Sequence, residues 1–392
     1  MKFIYLSTLC TKVEYESIFK KYGTVSSHAS QKYNRMLLYG LKENGADVEA
    51  LSFRPIKNPD IDDLEHQEET ENGIRFSYIP HCRCRKINRI YTVFSTLLIL
   101  LKMTKGLNGC VVGVDTINGE LSIAAVLCSL LRRKVKTCAI VTDVPVMRAN
   151  DNRKGIHKIP VLLKNYLISR YDSYVFLTEK MSCLLNKKSK PYVIIEGICD
   201  NSELPISNIV SNKYPEKVIM LAGLLEKEYG ADKLVEVFHD IADPQARLYL
   251  YGKGKSESFI RKYESMDSRI HFFGEAPNDL IVQEECRATF LINPRPADGE
   301  WTQYSFPSKN IEYICSGTPL IAYRLHCIPE EYLEHFIVID DENFKGVLES
   351  WLKRGPEEIN AFGKVGRNWI IREKNPKKQT EKMADMLQGL VS

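Results

Sequence analysis

Asn293-Pro-Arg-Pro-Ala-Asp-Gly-Glu-Trp-Thr-Gln-Tyr-Ser-Phe-Pro-Ser-Lys-Asn-Ile-Glu-Tyr-Ile-Cys-Ser-Gly-Thr-Pro319 is the stretch on which the reading of this 392-residue chain turns. The apolar run before it, Ala288 to Ile292, reads as a buried strand that stops at Pro, Gly and polar residues. From about Ser308 the spacing becomes helical, with Ile311, Ile314 and Cys315 at i, i+3 and i+4. Ser316-Gly317 ends that helix, and Pro319 opens the next apolar strand, Leu320 to Tyr323. A strand, a loop and a helix start in this order present free backbone N–H groups and a positive dipole end at the carboxyl edge of a sheet. Such a place suits an anion, most often a phosphate. Lys309 falls in the first turn, where a cation opposes the dipole unless an anion is present, and it reads as a ligand contact. Glu312, one turn further on, is placed to accept hydrogen bonds from ribose hydroxyls.

Outward from this stretch, alternation of strands and helices fills the chain. In the first half, strands are expected at Phe3–Leu6, Asp47–Phe53, Ile74–Ile79, Cys110–Val114, Val135–Thr142, Ser173–Thr178 and Tyr192–Ile195. Helices fall near Ser27–Asn44, Lys86–Lys105, Gly119–Arg132 and His157–Tyr171, and Asp60 to Glu71 reads as an acidic loop. The second half repeats the pattern, with strands at Lys217–Ala222, Ala246–Tyr251, Arg269–Phe273, Ala288–Ile292, Leu320–Ala322 and Phe336–Ile339. Strands separated by helices imply largely parallel sheets wound on both faces. A polar, Pro-bearing join from Gly197 to Pro215 separates the halves. The expected object is α/β: two doubly wound Rossmann-like domains with a cleft between them, residues 1–200 and 201–375, and ligands at the carboxyl ends of the strands.

Composition bounds the function. The charge of +4, from 54 basic and 50 acidic residues, is too balanced for a nucleic-acid binder. Eleven cysteines, odd in number and irregular in spacing, read as reduced thiols of a cytoplasmic protein. His81-Cys82-Arg83-Cys84 has half the ligands of a metal site, and no matching Cys or His pair follows at finger-like spacing, so no metal is expected. Met1 leads straight into a strand-like run, so no secretory signal is expected. Tyr91 to Leu101 is strongly apolar, but eleven residues fall short of the ~20 that span a bilayer. Two readings stand for it: a buried helix, or a basic, apolar helix resting on an anionic membrane surface. The second draws on Arg83, Arg85, Lys86, Arg89, Lys102 and Lys105 around it, and on Arg132, Arg133, Lys134, Arg148, Arg153, Lys154 and Lys158 in the same half.

Val218-Ile-Met-Leu-Ala-Gly223, Leu248-Tyr-Leu-Tyr-Gly-Lys-Gly254, Ile270-His-Phe-Phe-Gly274 and Phe306-Pro-Ser-Lys-Asn-Ile-Glu-Tyr-Ile-Cys-Ser-Gly-Thr-Pro319 together resemble the nucleotide-sugar-binding half of a known family. It is the large family of retaining glycosyltransferases with the two-Rossmann GT-B fold, usually numbered family 4. The resemblance is strong over about Lys217 to Asp340; in the first half, order of elements matches better than residues do. It implies transfer of a sugar from a nucleotide-diphosphate donor to a hydroxyl of a glycan or lipid-linked acceptor, with retention and without a metal or other cofactor. It also implies a last helix, about 376–392, that crosses back to the first domain, and Asn375-Pro376 followed by Met383, Met386 and Leu387 fits that crossing.

The resemblance assigns donor contacts to Gly223, Tyr304, Ser305, Phe306, Ser308 and Glu312. It also exposes departures. The family's Glu-x7-Glu pair keeps its second member as Glu312, but the first falls on Tyr304. Glu300, or Asp298, is the substitute carboxylate for the sugar, against a reading of both as solvated loop acids. The family's Arg after the Gly matching Gly223 is Leu224, and its Lys before the Gly matching Gly230 is Tyr229. A diphosphate needs cationic partners in a partly dry site, so Arg295 and Lys309 are the expected replacements, with Lys227 a third. In the first domain Ser26-Ser27-His28 stands where the family has a Gly-Gly loop, which makes Ser27 and His28 donor contacts. Thr142-Asp143 stands where it has His-Asp, which makes Asp143 the acceptor-side catalytic residue, unless it only caps a turn. The reading is a hexosyl- or N-acetylhexosaminyl-transferase of bacterial surface-polysaccharide assembly, cytoplasmic or peripheral on the inner membrane face, with a UDP-sugar as preferred donor. A nucleotide-sugar 2-epimerase on the same fold and a non-catalytic GT-B partner protein are the alternatives.

Overall fold

A computed structural model describes residues 1–22, 28–55, 68–80, 82, 87–144, 159–200 and 208–392. The chain divides into two compact units, Met1–Ile198 with Pro376–Ser392, and Cys199–Asn375.

The first unit is built on eight strands. In chain order its elements are β1 (Lys2–Ser7), α1 (Lys12–Tyr22), α2 (His28–Glu43), β2 (Asp47–Ser52), β3 (Glu69–Glu71), β4 (Ile74–Tyr78), α3 (Asn88–Met103) and β5 (Cys110–Asp115). They are followed by α4 (Gly119–Leu131), β6 (Val135–Val141), α5 (Ile159–Ile168), β7 (Ser173–Phe176), α6 (Glu179–Leu185) and β8 (Tyr192–Ile194). The sheet order is β3-β4-β2-β1-β5-β6-β7-β8, parallel throughout except for β3, which pairs antiparallel with β4. Strand β5 is buried along its whole length and β6 everywhere but at half-buried Lys136, as near-continuous apolar runs covered on two faces should be.

Three elements depart from the expectation: α1, β3 and the short helix α6, which starts where Thr178 caps it by accepting from the Met181 N–H and which the expected series of helices lacks. Helix α1 was not expected: among its residues only Ile18 is fully buried, so its periodicity is faint. Strand β3 lies within the expected acidic loop, and its backbone is recruited by a tight turn at Asn72 (φ 49) and Gly73 (φ 69). Its side chains are polar because their partners are: Glu69 accepts from Thr11 and Tyr78, and Glu71 pairs with Arg35 at 3.3 Å.

The second unit runs β9 (Lys217–Leu224), α7 (Ala231–His239), β10 (Ala246–Lys253), α8 (Glu257–Met266), β11 (Ile270–Gly274), α9 (Asn278–Arg287), β12 (Phe290–Asn293), α10 (Ser308–Ser316), β13 (Leu320–Tyr323), β14 (Ile337–Ile339), α11 (Phe344–Leu352) and α12 (Pro356–Glu373). Its sheet, β11-β10-β9-β12-β13-β14, is all parallel. The order reverses direction at β9/β12, the switch point where an open α/β sheet offers its ligand crevice.

The last helix, α13 (Pro376–Val391), belongs to the first unit. Met383 and Leu387 are fully buried in the core that holds Met36, Leu37 and Leu41 of α2. Asn44 Nδ2 donates to the Lys377 carbonyl at 2.7 Å and to Thr380 Oγ1 at 3.0 Å. The two helices touch at Gly40, where a Cβ would stand 2.1 Å from the Pro376 carbonyl oxygen.

Candidate functional site

At the switch point of the second unit, backbone proximity sets the geometry. Gly252, next to last in β10, has φ +128, and a Cβ there would lie 1.8 Å from the carbonyl oxygen of Gly223, next to last in β9. Gly230, left-handed at φ +80, opens α7, and a Cβ there would lie 2.0 Å from the Pro294 carbonyl oxygen. Only glycine permits either approach, and the second seats the loop after β12 against the start of α7. Helix α10 is fixed to β9 by Tyr313, fully buried, whose hydroxyl donates to the Ala222 carbonyl and accepts from the Ala222 N–H, each at 2.9 Å. Asn293 Nδ2 donates to Asn310 Oδ1 at 2.6 Å, joining the end of β12 to the first turn of α10.

Lys309 is not an unopposed cation at that helix start. Its ammonium lies 2.7 Å from Glu312 and 3.4 Å from Glu285, and above the ring of Tyr313. The anion that explains a lysine in this first turn is therefore the protein's own. Burial works against its charge, but Glu312 and Glu285 outweigh burial and hold the ammonium well above its ordinary range. Glu285, on α9, is wholly buried, and its Oε2 has no hydrogen-bond partner. Burial first, then the Glu312 carboxylate, push the Glu285 carboxyl up. One ammonium thus serves two carboxylates, of which Glu312 is the more exposed. The sequence did not single out Glu285; an acid inside the half-apolar helix before β12 was its only signal.

Arg295 presents the opposite case. It is only 6% exposed, yet its Nε and Nη2 are buried without a partner, and it forms no salt bridge with any described residue. Its guanidinium lies over the Trp301 ring, 4.1 Å from the centroid, and Trp301 stands edge-on to Tyr229 at 5.4 Å. Burial pulls its pKa down, with Cys327 and Tyr229 close enough to act on its charge. A dry, unpaired guanidinium is costly unless something completes it. Tyr229, at the place where the resembled family has a lysine, therefore forms part of an aromatic holder for an arginine from the neighbouring loop. Trp301 was in the quoted stretch but carried no assignment, because stacking partners have no local spacing rule.

The other residues fall into place around these two. Tyr304 closes a 3-10 turn, Glu300–Tyr304, and is half-buried, as is Ser305, whose carbonyl faces Cys327 Sγ at 3.6 Å. The Phe306 ring packs into the core against Tyr332, centroids 5.5 Å apart, so it offers no face to a ligand. Ser308 is exposed at the start of α10, and no side chain caps that helix. Glu300 and Asp298 are exposed and make no salt bridge among the described residues, while Lys227 is exposed on the 3-10 turn before α7. Leu224, where the resembled family has an arginine, is 53% exposed.

In the first unit, Asp143 follows β6 and is half-buried. Beside it the structure adds Asp115 at the end of β5, which pairs in register with Ile140. Asp115 is buried, accepts from the Ile117 N–H at 3.1 Å and from Asn34 at 3.4 Å, and burial pushes its carboxyl up. A strand ending in an acid, Val111-Val-Gly-Val-Asp115, was the available signal. His28 begins α2, but its side chain, and the whole of Ser27, lie outside the described residues, as do His81, Arg83 and Cys84. The ten described cysteines are free, and no group of three or more His, Cys, Asp or Glu among the described residues could hold a metal ion.

Residues 216–353 match the family Glycosyl transferases group 1. A search of curated protein sequences returns no significant match. Among solved structures, the sucrose-phosphate synthase of Thermosynechococcus elongatus aligns with a TM-score of 0.68 at 15% identity, over 100% of this chain and 99% of that one. HepE from Anabaena, in complex with UDP and glucose, aligns with a TM-score of 0.60 at 10% identity, over 99% and 100%. WaaG, a glycosyltransferase involved in lipopolysaccharide biosynthesis, aligns with a TM-score of 0.59 at 13% identity, over 99% and 100%. The fold is therefore GT-B along the whole chain. With its group 1 domain in the second unit, the protein is a glycosyltransferase of GT-B type.

Proposed function

We propose that this glycosyltransferase moves a sugar from a nucleotide-diphosphate sugar, UDP-linked, to a hydroxyl of a glycan or lipid-linked acceptor in bacterial surface-polysaccharide synthesis, with retention and without a metal. The observation that carries the reading is Arg295, a buried guanidinium with two unpartnered N–H-bearing nitrogens beside the switch point of the group 1 domain. A diphosphate supplies what that group lacks: two charges and several acceptors of the geometry a guanidinium prefers. The choice of UDP and of a surface glycan is supported by structural relatives solved with UDP and glucose or described in lipopolysaccharide biosynthesis.

In this reading the bond from the anomeric carbon to the diphosphate oxygen breaks, and its electron pair leaves with the diphosphate. Arg295 and the uncapped N–H groups at the start of α10 stabilise that developing charge, the largest electrostatic contribution available to the site. The acceptor oxygen bonds to the same face of the sugar, and its proton passes to a donor phosphate oxygen, with Asp143 orienting the hydroxyl. Glu312 holds the ribose, and Lys309, 2.7 Å away, fixes the position of its carboxylate. Glu300 is assigned to the sugar hydroxyls.

Incubation with a panel of nucleotide sugars, read by nucleotide release and by thermal shift, tests the reading. A thermal shift with one nucleotide diphosphate and release from its sugar, undiminished by chelator, is expected, with the α or β configuration of the donor kept in the product by NMR. No shift with any nucleotide sinks it.

A further inference from the structure

We propose that helices α3, α4 and α5 of the first unit form a face that docks on an anionic lipid bilayer. The buried side of α3 is Thr92, Thr96, Leu97 and Leu100. Its opposite side is apolar as well: Ile87, Ile90, Tyr91, Phe94 and Leu98 are all exposed, with Ile90, Phe94 and Leu98 at 61%, 59% and 67%. Their spacing of three and four places them on a single stripe along the helix. A solvated surface helix puts charge there. This one puts its bulkiest hydrocarbon there.

The stripe has neighbours of the same kind. Arg89 pairs with Glu120 at 3.4 Å, and Arg132 donates to the Leu101 carbonyl at 3.0 Å, so α3 and α4 lie side by side and run the same way. Leu130 and Leu131, both exposed, therefore flank the far end of α3, and α5, packed beside α4, adds exposed Leu163 and Tyr166. Exposed apolar side chains gathered on neighbouring helices mark an interaction site.

Charge selects the occupant. Residues 87–105, 119–134 and 159–170 contain eight Lys and Arg and one acid, Glu120, in a chain whose basic and acidic residues number 54 and 50. Arg89, Lys102, Lys105, Arg133 and Lys134 are exposed. Apolar side chains flanked by mostly basic ones match an anionic headgroup layer over hydrocarbon. A second copy of the chain meeting this face about a two-fold axis would set the basic side chains against one another. The contact lies on the surface of the bilayer, because no helix among the described residues is long and apolar enough to cross one. This inference is independent of the reading of the donor site.

The test is co-sedimentation of the full chain with vesicles of phosphatidylcholine, with and without phosphatidylglycerol. Binding is expected with phosphatidylglycerol, weakened by salt and much lower without it. The double substitution Phe94→Ser with Leu98→Ser, at exposed positions, is expected to cut that binding about tenfold or more, with the circular dichroism spectrum and Tm unchanged. Lys102→Glu with Lys105→Glu is expected to lower binding to phosphatidylglycerol vesicles alone. Absent vesicle binding, or binding that survives Phe94→Ser with Leu98→Ser, overturns the proposal. So does a dimer in sedimentation that this substitution dissolves.

Discussion

Replacing Arg295 by methionine separates a guanidinium that waits for a ligand from one that holds the fold together, because the two roles predict opposite signs. Its Nε and Nη2 are buried and have no hydrogen-bond partner among the described residues. Each unsatisfied buried donor costs about 1–3 kcal/mol. Against this stands the contact with Trp301, 4.1 Å from the ring centroid, worth about 0.5–2 kcal/mol. Methionine keeps much of the packing on Trp301 and removes the unsatisfied donors, so Arg295→Met is expected to stabilise the free protein by about 1–3 kcal/mol. For a unit of this size that raises Tm by roughly 2–4 °C per kcal/mol. With a nucleotide diphosphate the sign reverses. Two charge-assisted hydrogen bonds at about 1.5–3 kcal/mol each are lost, so affinity falls by roughly a hundredfold or more. Differential scanning calorimetry without ligand and isothermal titration with UDP read the two halves. A lower Tm in the free variant, together with an unchanged Kd, refutes the reasoning and makes Arg295 a structural residue.

Two further expectations concern the same unit. Glu285, with an ordinary value of 4.5, is pushed up to about 8 by burial and by Glu312. Between those values the native state binds the extra proton, so stability falls as pH rises through this window. Glu285→Gln is expected to flatten the dependence of Tm on pH from about 4.5 to 8, and an unchanged slope defeats the assignment. Tyr313→Phe strands the Ala222 N–H and carbonyl, now each paired at 2.9 Å. It is expected to cost about 2–4 kcal/mol, seen as a lower urea midpoint at constant m-value.

Much of the architecture was readable in one dimension because it is written in local periods. Continuous apolar runs bounded by Gly and Pro are buried parallel strands, and the helices between them carry the 3.6-residue repeat. What failed was polar or weakly patterned. Helix α1 buries a single residue completely, and β3 is an edge strand whose glutamates serve long-range partners. The quoted stretch gave its strand, its helix and its terminating glycine in the right places, with β12 at Phe290–Asn293 and α10 at Ser308–Ser316.

Charge partners were a different matter, and only the tertiary structure decided them. Lys309 and Arg295 looked equivalent in the sequence, two cations on one loop and helix. Folding brings Glu285 from α9 beneath Lys309 and compensates it. The same folding brings Trp301 and Tyr229 around Arg295, with no carboxylate paired to it among the described residues. The contrast arises because the free energy of a charge depends on dielectric and on neighbours distant in the chain, neither of which local spacing encodes. Sequence alone placed both cations beside the carboxyl edge of a parallel sheet. Packing paired one of them with carboxylates and buried the other against an aromatic ring, with no carboxylate partner among the described residues.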